Sequence, residues 1–165
     1  MPPETEFQRP LVLATLPPGG RTLTLEASPD ECAALARRFG ILGLDSVTAT
    51  LRVLPEPGGT VLVEGRMAAK LTQACVVTLD PVAQEVDEPV AFRLLPPGQE
   101  PQDGPDDPDE IEAPEGTADL GEVLAEQLAL ALDPYPRAPG AELPPEAGGA
   151  VTGGFAALAA LRRKN

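Results

Sequence analysis

Two neighbouring segments of the chain alternate apolar and polar residues and are joined by a glycine-rich turn. The segments are SVTATLRVLPE and TVLVEGRMAAKLTQACVVTLD, and Pro57-Gly58-Gly59 lies between them. Period-two alternation places the apolar side chains on one face of a strand, and two such strands around a Gly-Gly turn are typical of a β-hairpin. The stretches RTLTLEA and PVAQEVDEPVAFRLLP continue the alternation. The pattern therefore predicts an antiparallel β-sheet of about four to six strands.

Two further segments carry the signals of helices. In SPDECAALARRFG, Ser28 and Glu31 have the spacing of a capping box, and Gly40 stands where a helix ends in a left-handed residue. In DLGEVLAEQLALALDP, Asp119 and Glu122 have the same spacing and precede a broad apolar stripe. We therefore expect an α+β fold in which two or three helices pack on the sheet, the second of these helices closing the core.

An acidic, proline-rich segment separates the sheet from the second helix. The stretch PPGQEPQDGPDDPDEIEAPEG has one strongly apolar residue, Ile111, and cannot bury enough surface to offset the entropy of ordering it. From Glu100 to Glu146 the chain has 14 acidic residues and a single basic one. We predict a disordered acidic loop, which is either a solvated spacer or a contact for a basic partner.

These patterns divide the chain into parts with different expected roles. We predict an α+β sheet domain (1–99), a flexible acidic loop (100–118), a helix packing back on the sheet domain (119–140), a linker (141–154) and an amphipathic basic tail (155–165). The tail, FAALAALRRKN, places Phe155, Leu158 and Leu161 on one helical face. It is too short to be stable alone, so it either docks on the domain or folds on a partner.

The chain offers few residues suited to catalysis. It has no histidine, which is the commonest general base and metal ligand, and no phosphate-binding loop or nucleophile elbow. Its two cysteines, Cys32 and Cys75, lack the close spacing of a zinc site. Cys75 fits a buried core thiol better than a nucleophile, which would need a cationic neighbour, and Lys70 is the nearest in sequence. We expect no enzymatic activity, no cofactor, no metal and no small-molecule substrate.

The charge and hydropathy of the chain limit its partners and its location. The net charge is −14, and phosphate binding depends on Lys and Arg, so a broad contact with free nucleic acid is disfavoured. A basic protein suits the acidic region better. Neither a secretory signal nor an apolar run of membrane-spanning length is visible. We therefore expect a cytoplasmic protein that makes no membrane contact.

Two places in the chain are candidate contacts for a partner. Tyr135 is the only tyrosine, and it stands between two prolines with Arg137 close by. It either packs over the end of the second helix or contacts a partner together with Arg137, since Tyr and Arg are enriched at interface hot spots. The tail supplies the remaining candidates, which are Phe155, Arg162, Arg163 and Lys164.

Three blocks of sequence, in their order, resemble the bacterial YceD family, whose members are described as large ribosomal RNA subunit accumulation proteins. The blocks are QACVVTLDPV, DLGEVLAEQLALALDPYPRAPGA and FAALAALRRKN. The resemblance implies a cytoplasmic factor that supports accumulation of the 23S ribosomal RNA and large-subunit assembly, with no enzymatic activity. It also implies that Cys75, residues 119–137 and residues 155–164 are candidate functional surfaces. Many relatives have a C-x-x-C pair here, but Thr78 replaces its second cysteine, which puts a metal or redox role of that pair in doubt.

The partner is then either large-subunit ribosomal RNA or a basic ribosomal protein or assembly factor. A direct RNA contact would use basic residues on or near the strands, together with the basic end of the tail. Alternatively, the protein is an acidic protein-binding module that chaperones a basic ribosomal protein without direct RNA contact. We prefer this indirect route because of the excess of acids. The basic residues on or near the strands that would offer a small local patch for RNA are Arg52, Arg66, Lys70 and Arg93.

Overall fold

Nine helices and strands make up the described part of this computed structural model, which covers residues 5–102 and 104–141. Short 3-10 turns lie at Leu13–Thr15 and Pro114–Gly116. The elements in chain order are β1 (Pro10–Val12), β2 (Arg21–Glu26), α1 (Pro29–Phe39), β3 (Gly43–Pro55), β4 (Val61–Ala74), β5 (Pro81–Leu95), β6 (Asp109–Glu112), β7 (Thr117–Asp119) and α2 (Leu120–Ala131).

The main sheet has five strands in the order β2-β3-β4-β5-β6, and β1 pairs with β7 in a separate two-stranded ribbon. The α+β class is therefore confirmed. The strands β2 to β5 are antiparallel neighbours, but β6 pairs with β5 in parallel, with Phe92 beside Asp109 and Leu95 beside Glu112. The prediction of a wholly antiparallel sheet is wrong at this edge, because residues 96–108 bring the chain back alongside β5 before it pairs.

The predicted disorder of the acidic loop is not confirmed, since β6 and the first two residues of β7 lie between residues 100 and 118. Ile111 pairs with Leu94 and packs against the core, and Ala113 is fully buried. The Ala113 N–H also donates to the Leu95 carbonyl at 2.9 Å. The packing of Ile111, the burial of Ala113 and the short ladder with β5 are enough to order this segment, although its composition is mostly acidic and proline-rich.

One face of the sheet is apolar and the other is polar. On β3 and β4 the buried positions alternate with exposed ones, so that residues such as Val47, Leu51, Val63 and Met67 point into one core. Both helices and the N-terminal Phe7 cover this face. The opposite face carries threonines and charged side chains and lies open to solvent, as in other two-layer folds.

Helix α1 begins and ends as its sequence signals predict. The Glu31 N–H donates to Ser28 Oγ at 3.2 Å, and the Ser28 N–H donates to the Glu31 carboxylate at 2.7 Å. Gly40 ends the helix with a φ of 68°, in the left-handed region. Glu31 also forms an ion pair with Arg9 at 2.8 Å, which ties the N-terminal segment to the helix.

Helix α2 is anchored at its first turn by Asp119. This carboxylate accepts hydrogen bonds from the Gly121 and Glu122 N–H groups, and also from the N-terminal segment through the Thr5 hydroxyl and the Arg9 N–H. The Asp119 cap is confirmed, but the capping-box role of Glu122 is wrong. Its carboxylate instead binds the Arg38 guanidinium at 2.7 Å, because α1 lies beside this end of α2.

Gly65, in the middle of β4, is a position where only glycine fits. A Cβ atom there would lie 1.9 Å from the Thr50 carbonyl oxygen of the neighbouring strand. We expect Gly65→Ala to destabilise the fold by about 2–3 kcal/mol, the usual cost of overpacking a core. Gly43→Ala is the matched control, because a Cβ there meets nothing within 4 Å. Urea unfolding measures both, and equal midpoints for the two variants would contradict the close approach.

The Arg9–Glu31 pair makes stability depend on pH. Hydrogen bonding to Arg9 lowers the pKa of Glu31 from 4.5 to about 2, so the stabilisation is complete above 4.5 and is lost as the pH falls toward 2. Glu31→Gln keeps a side chain that suits the capping box and removes the ion pair. We expect this variant to be less stable than the parent at neutral pH and equally stable near pH 2.

Urea unfolding midpoints of the parent and of Glu31→Gln, measured from neutral pH down to pH 2, test the predicted direction of this pH dependence. Glu26→Gln is the control, since Glu26 is an exposed acid of β2. A stability difference between Glu31→Gln and the parent that stays constant down to pH 2 would refute the assignment.

Candidate partner-binding site at the Cys75 turn

The chain reverses tightly after β4, over residues 75–80, which we call the Cys75 turn. The Cys75 N–H donates to the Asp80 carbonyl at 2.8 Å, and the Leu79 N–H donates to the Cys75 carbonyl at 2.9 Å. Leu79 adopts a φ of 63°, a left-handed conformation that is uncommon for a residue with a bulky side chain. The turn holds the Leu79 side chain in solvent, where it is 76% exposed.

A second segment, residues 133–138, lies against this turn, and we call it the strap. The Val76 N–H donates to the Pro136 carbonyl at 2.9 Å. Two residues further on, the Ala138 N–H donates to the Cys75 sulfur at 3.3 Å. Pro136 and Cys75 are both buried, whereas the residues on either side of Pro136 are exposed. The strap therefore covers the sulfur and exposes the side chains of Tyr135 and Arg137.

Two glutamines on the sheet hold the end of α2 and the start of the strap. Gln84 of β5 donates to the Ala131 carbonyl at 3.2 Å and accepts from the Asp133 N–H at 3.2 Å. Gln73 of β4 donates to the Asp133 carbonyl at 3.1 Å. These amides satisfy backbone groups that a helix end leaves without partners. The sequence analysis missed both glutamines. The available signal was Gln73, which occupies a position of β4 where the alternation predicts an apolar residue.

The Cys75 sulfur is a hydrogen-bond acceptor in this arrangement. Bonds from the Thr78 hydroxyl and the Ala138 N–H lower the pKa of Cys75 to about 7. Lys70, the basic neighbour considered from the sequence, instead lies 3.9 Å from Glu85. Burial raises the pKa of the other thiol, Cys32. Both thiols are buried and free, as a core role predicts.

The strap presents two of the residues predicted to contact a partner. Tyr135 is 72% exposed, so the alternative in which it packs over the end of the helix is wrong. Its N–H donates to the Asp133 carboxylate at 2.9 Å, which fixes the backbone here. Arg137 is also exposed. The other predicted contacts, Phe155, Arg162, Arg163 and Lys164, lie outside the described residues.

The four basic strand residues considered for a direct RNA contact each have an acid nearby. On the open face of the sheet Arg66 pairs with Asp87 at 2.9 Å, and Lys70 lies beside Glu85. Arg93 pairs with Glu56 at 3.0 Å. The fourth, Arg52, stands opposite Glu64 in the β-ladder. The carboxylates paired with Arg66, Lys70 and Arg93 weaken the local attraction of these three cations for phosphate groups.

The described ranges 5–102 and 104–141 hold no group of three or more acidic or cysteine side chains placed to bind a metal ion. Within the same ranges no helix has the length and apolar character needed to span a membrane. The exposed side chains of the Cys75 turn and the strap include three large hydrophobic ones, Val76, Leu79 and Tyr135, together with Arg137. Groups of this kind are suited to contact with another macromolecule.

A comparison with protein families identifies the family to which the chain belongs. The family described as large ribosomal RNA subunit accumulation protein YceD matches residues 63–161, which is more than half of the chain. The chain belongs to the YceD family. The resemblance inferred from the three sequence blocks is confirmed. In this YceD family member the matched range begins within β4 and includes the Cys75 turn, α2 and the strap. No curated protein and no solved structure matches the chain significantly.

The lowered pKa of Cys75 can be measured by thiolate absorbance in a Cys32→Ala background, where Cys75 is the only thiol. We expect a midpoint at about 7, against an ordinary value of 9.0. Thr78→Val removes the strongest hydrogen bond to the sulfur and should move the midpoint up toward 9.0. Thr50→Val, on the open face of the sheet, serves as control and should leave it unchanged. A midpoint near 9.0 in all three proteins would exclude this hydrogen-bond network.

Proposed function

We propose that this protein is a non-catalytic factor of ribosome biogenesis that supports accumulation of the 23S ribosomal RNA and assembly of the large subunit. The observation that carries the proposal is the YceD family match over residues 63–161, because the family's description names large ribosomal subunit RNA. The cytoplasmic location is part of the proposal, since ribosomes are assembled there in bacteria. The protein would act by binding, through the surfaces that the matched range contains.

The strap is the surface that we propose meets the partner. Tyr135 and Arg137 stand exposed on a segment whose backbone is held by bonds to the Cys75 turn and to Gln73. A contact surface that is already ordered loses little conformational entropy on binding. Tyr and Arg suit either a protein partner or a nucleotide, since both side chains stack and form hydrogen bonds. The tail would extend the contact through Phe155, Arg162, Arg163 and Lys164.

The proposal that the protein is not an enzyme is supported by the position of Cys75. Its pKa of about 7 gives a larger thiolate fraction near neutral pH than an ordinary thiol has, and the thiolate is the form that a nucleophile needs. However, the sulfur is buried and already accepts hydrogen bonds from the Ala138 N–H and the Val77 N–H. A substrate would reach it only after the strap had moved away. We therefore assign the thiol a structural role, as the acceptor that holds the strap.

The alternative is an acidic module that chaperones a basic ribosomal protein without touching RNA. It is favoured by the carboxylates beside the cations of the sheet and by the net charge of −14. The edge strand β6 and the turn before it add a row of exposed acids that a basic protein could meet. Such charges also protect an open sheet edge from pairing with another chain. These acids are Asp106, Asp107, Asp109 and Glu112.

The two routes separate in a tagged pull-down from cells, with RNA sequencing and mass spectrometry before and after nuclease treatment. Tyr135→Ala with Arg137→Ala should lower recovery of the partner by about tenfold in either route, the loss expected from one interface hot spot. For direct RNA contact, large-subunit RNA stays bound and ribosomal proteins are lost after nuclease. For the acidic module, a basic protein survives nuclease treatment.

Two sets of charge variants sharpen this outcome. Replacing Asp106, Asp107, Asp109 and Glu112 with their amides should weaken only the basic-protein route. Replacing Arg162, Arg163 and Lys164 with alanine should weaken only the RNA route. Leu130→Ala is the matched control, since this side chain is exposed on the outer side of α2. Recovery of neither large-subunit RNA nor any ribosomal protein would overturn the proposed function.

A further inference from the structure

We propose that residues 155–164 of this chain dock in cis on the apolar patch formed by Val76, Leu79 and Tyr135. The inference concerns the isolated protein and does not depend on the ribosomal partner. It assigns the patch an occupant from the same chain. In the free protein the tail would cover Tyr135, and it would leave the patch when the tail and Tyr135 contact the partner.

The patch is made of side chains that are exposed without any covering element among the described residues. Leu79 is 76%, Tyr135 is 72% and Val76 is 50% exposed. The Val76–Pro136 hydrogen bond joins the Cys75 turn to the strap, so the three side chains lie at one end of the sheet. Single exposed apolar residues are common, but several on neighbouring, hydrogen-bonded segments are typical of a binding surface.

The tail has the complementary chemistry. Phe155, Leu158 and Leu161 recur at helical spacing on one face, and Arg162, Arg163 and Lys164 follow them directly. A helix of this length is marginal in water alone, so it requires a surface on which to bury that face. Two exposed acids lie within two residues of the patch in sequence, Asp80 and Asp133, against one exposed cation, Arg137, so the local charge favours the basic end of such a segment.

The described part of the chain ends close to the patch, at Ala141. Ala141 follows three residues after Ala138, whose N–H is bonded to the Cys75 sulfur. Residues 142–154 then separate the patch from the tail, and a Gly-rich linker of that length spans about 20 Å on average. A connection of this kind gives an effective concentration of ~1 mM, enough to populate even a weak contact about half of the time.

Tyr135 is itself the probe for the test, because the chain has one tyrosine and no tryptophan. Acrylamide quenching of tyrosine fluorescence is measured on the full chain and on the variant Phe155→Ser, Leu158→Ser, Leu161→Ser. We expect the quenching constant to rise by about twofold in the variant, since half-time occupancy protects the ring about half of the time. Ala156→Ser with Ala160→Ser, on the opposite helical face, is the matched control and should leave quenching unchanged.

A second pair of substitutions checks that the patch is the docking surface. Val76→Ser with Leu79→Ser should raise quenching as the tail variant does, and combining both sets should add little further. Leu130→Ser, on the outer side of α2, should have no effect. Circular dichroism verifies that each variant folds. Equal quenching in the parent and the tail variant would overturn the proposal, and so would protection that vanishes on dilution, which would indicate a second copy of the chain.

Discussion

The whole structure depends on a sheet that is apolar on one face only. The strands β3, β4 and β5 are long, and their inward side chains must be covered by a single layer built from α1, α2 and the N-terminal segment. Helix α2 completes this layer, with Leu120, Leu124 and Leu128 fully or almost fully buried. Burying a leucine contributes about 1.5–3 kcal/mol, so the position of α2 is set mainly by these residues. Polar groups then fix its two ends.

Those polar ends connect the core to the candidate site. Asp119 gathers the N-terminal segment and the first turn of α2 around one carboxylate, and Gln73 and Gln84 take up the backbone groups where the helix stops. The strap leaves α2 from this second end and meets the Cys75 turn. The sulfur of Cys75 accepts a hydrogen bond from the strap there, and the side chains of Val76, Leu79 and Tyr135 are exposed beside it.

The local signals in the sequence were sufficient for most of the elements. Alternation predicted the strands of the sheet, and the Ser28–Glu31 capping box with Gly40 predicted both ends of α1. The failures came from contacts between residues distant in the chain. Glu122 pairs with Arg38 and does not complete the predicted capping box. Ile111 pairs with Leu94, which places β6 in a segment predicted to be disordered. Composition describes the average of a segment, whereas two well-placed apolar residues are enough to order it.

For the site, sequence reasoning identified Cys75, Tyr135 and Arg137 separately, and only the fold brings them together. Nothing in the spacing of residues 75 and 138 indicates that a backbone N–H of one segment meets the sulfur of the other. The ion pairs of the sheet were equally hard to predict, because Arg66 stands opposite Pro89 in the ladder and reaches Asp87 diagonally across the neighbouring strand. Of the two surfaces considered from the sequence, these contacts favour the strap with Tyr135 and Arg137 over the cations of the sheet.

The central claim is that the protein supports large-subunit RNA by binding and not by catalysis. It is tested most directly by the ratio of large- to small-subunit ribosomal RNA in cells depleted of the protein and complemented with variants. The account predicts that depletion lowers the ratio, that Cys75→Ser restores it because an oxygen still accepts the strap's hydrogen bond, and that Tyr135→Ala with Arg137→Ala does not. A ratio unaffected by depletion, or a folded Cys75→Ser protein that fails to restore it, would contradict the account.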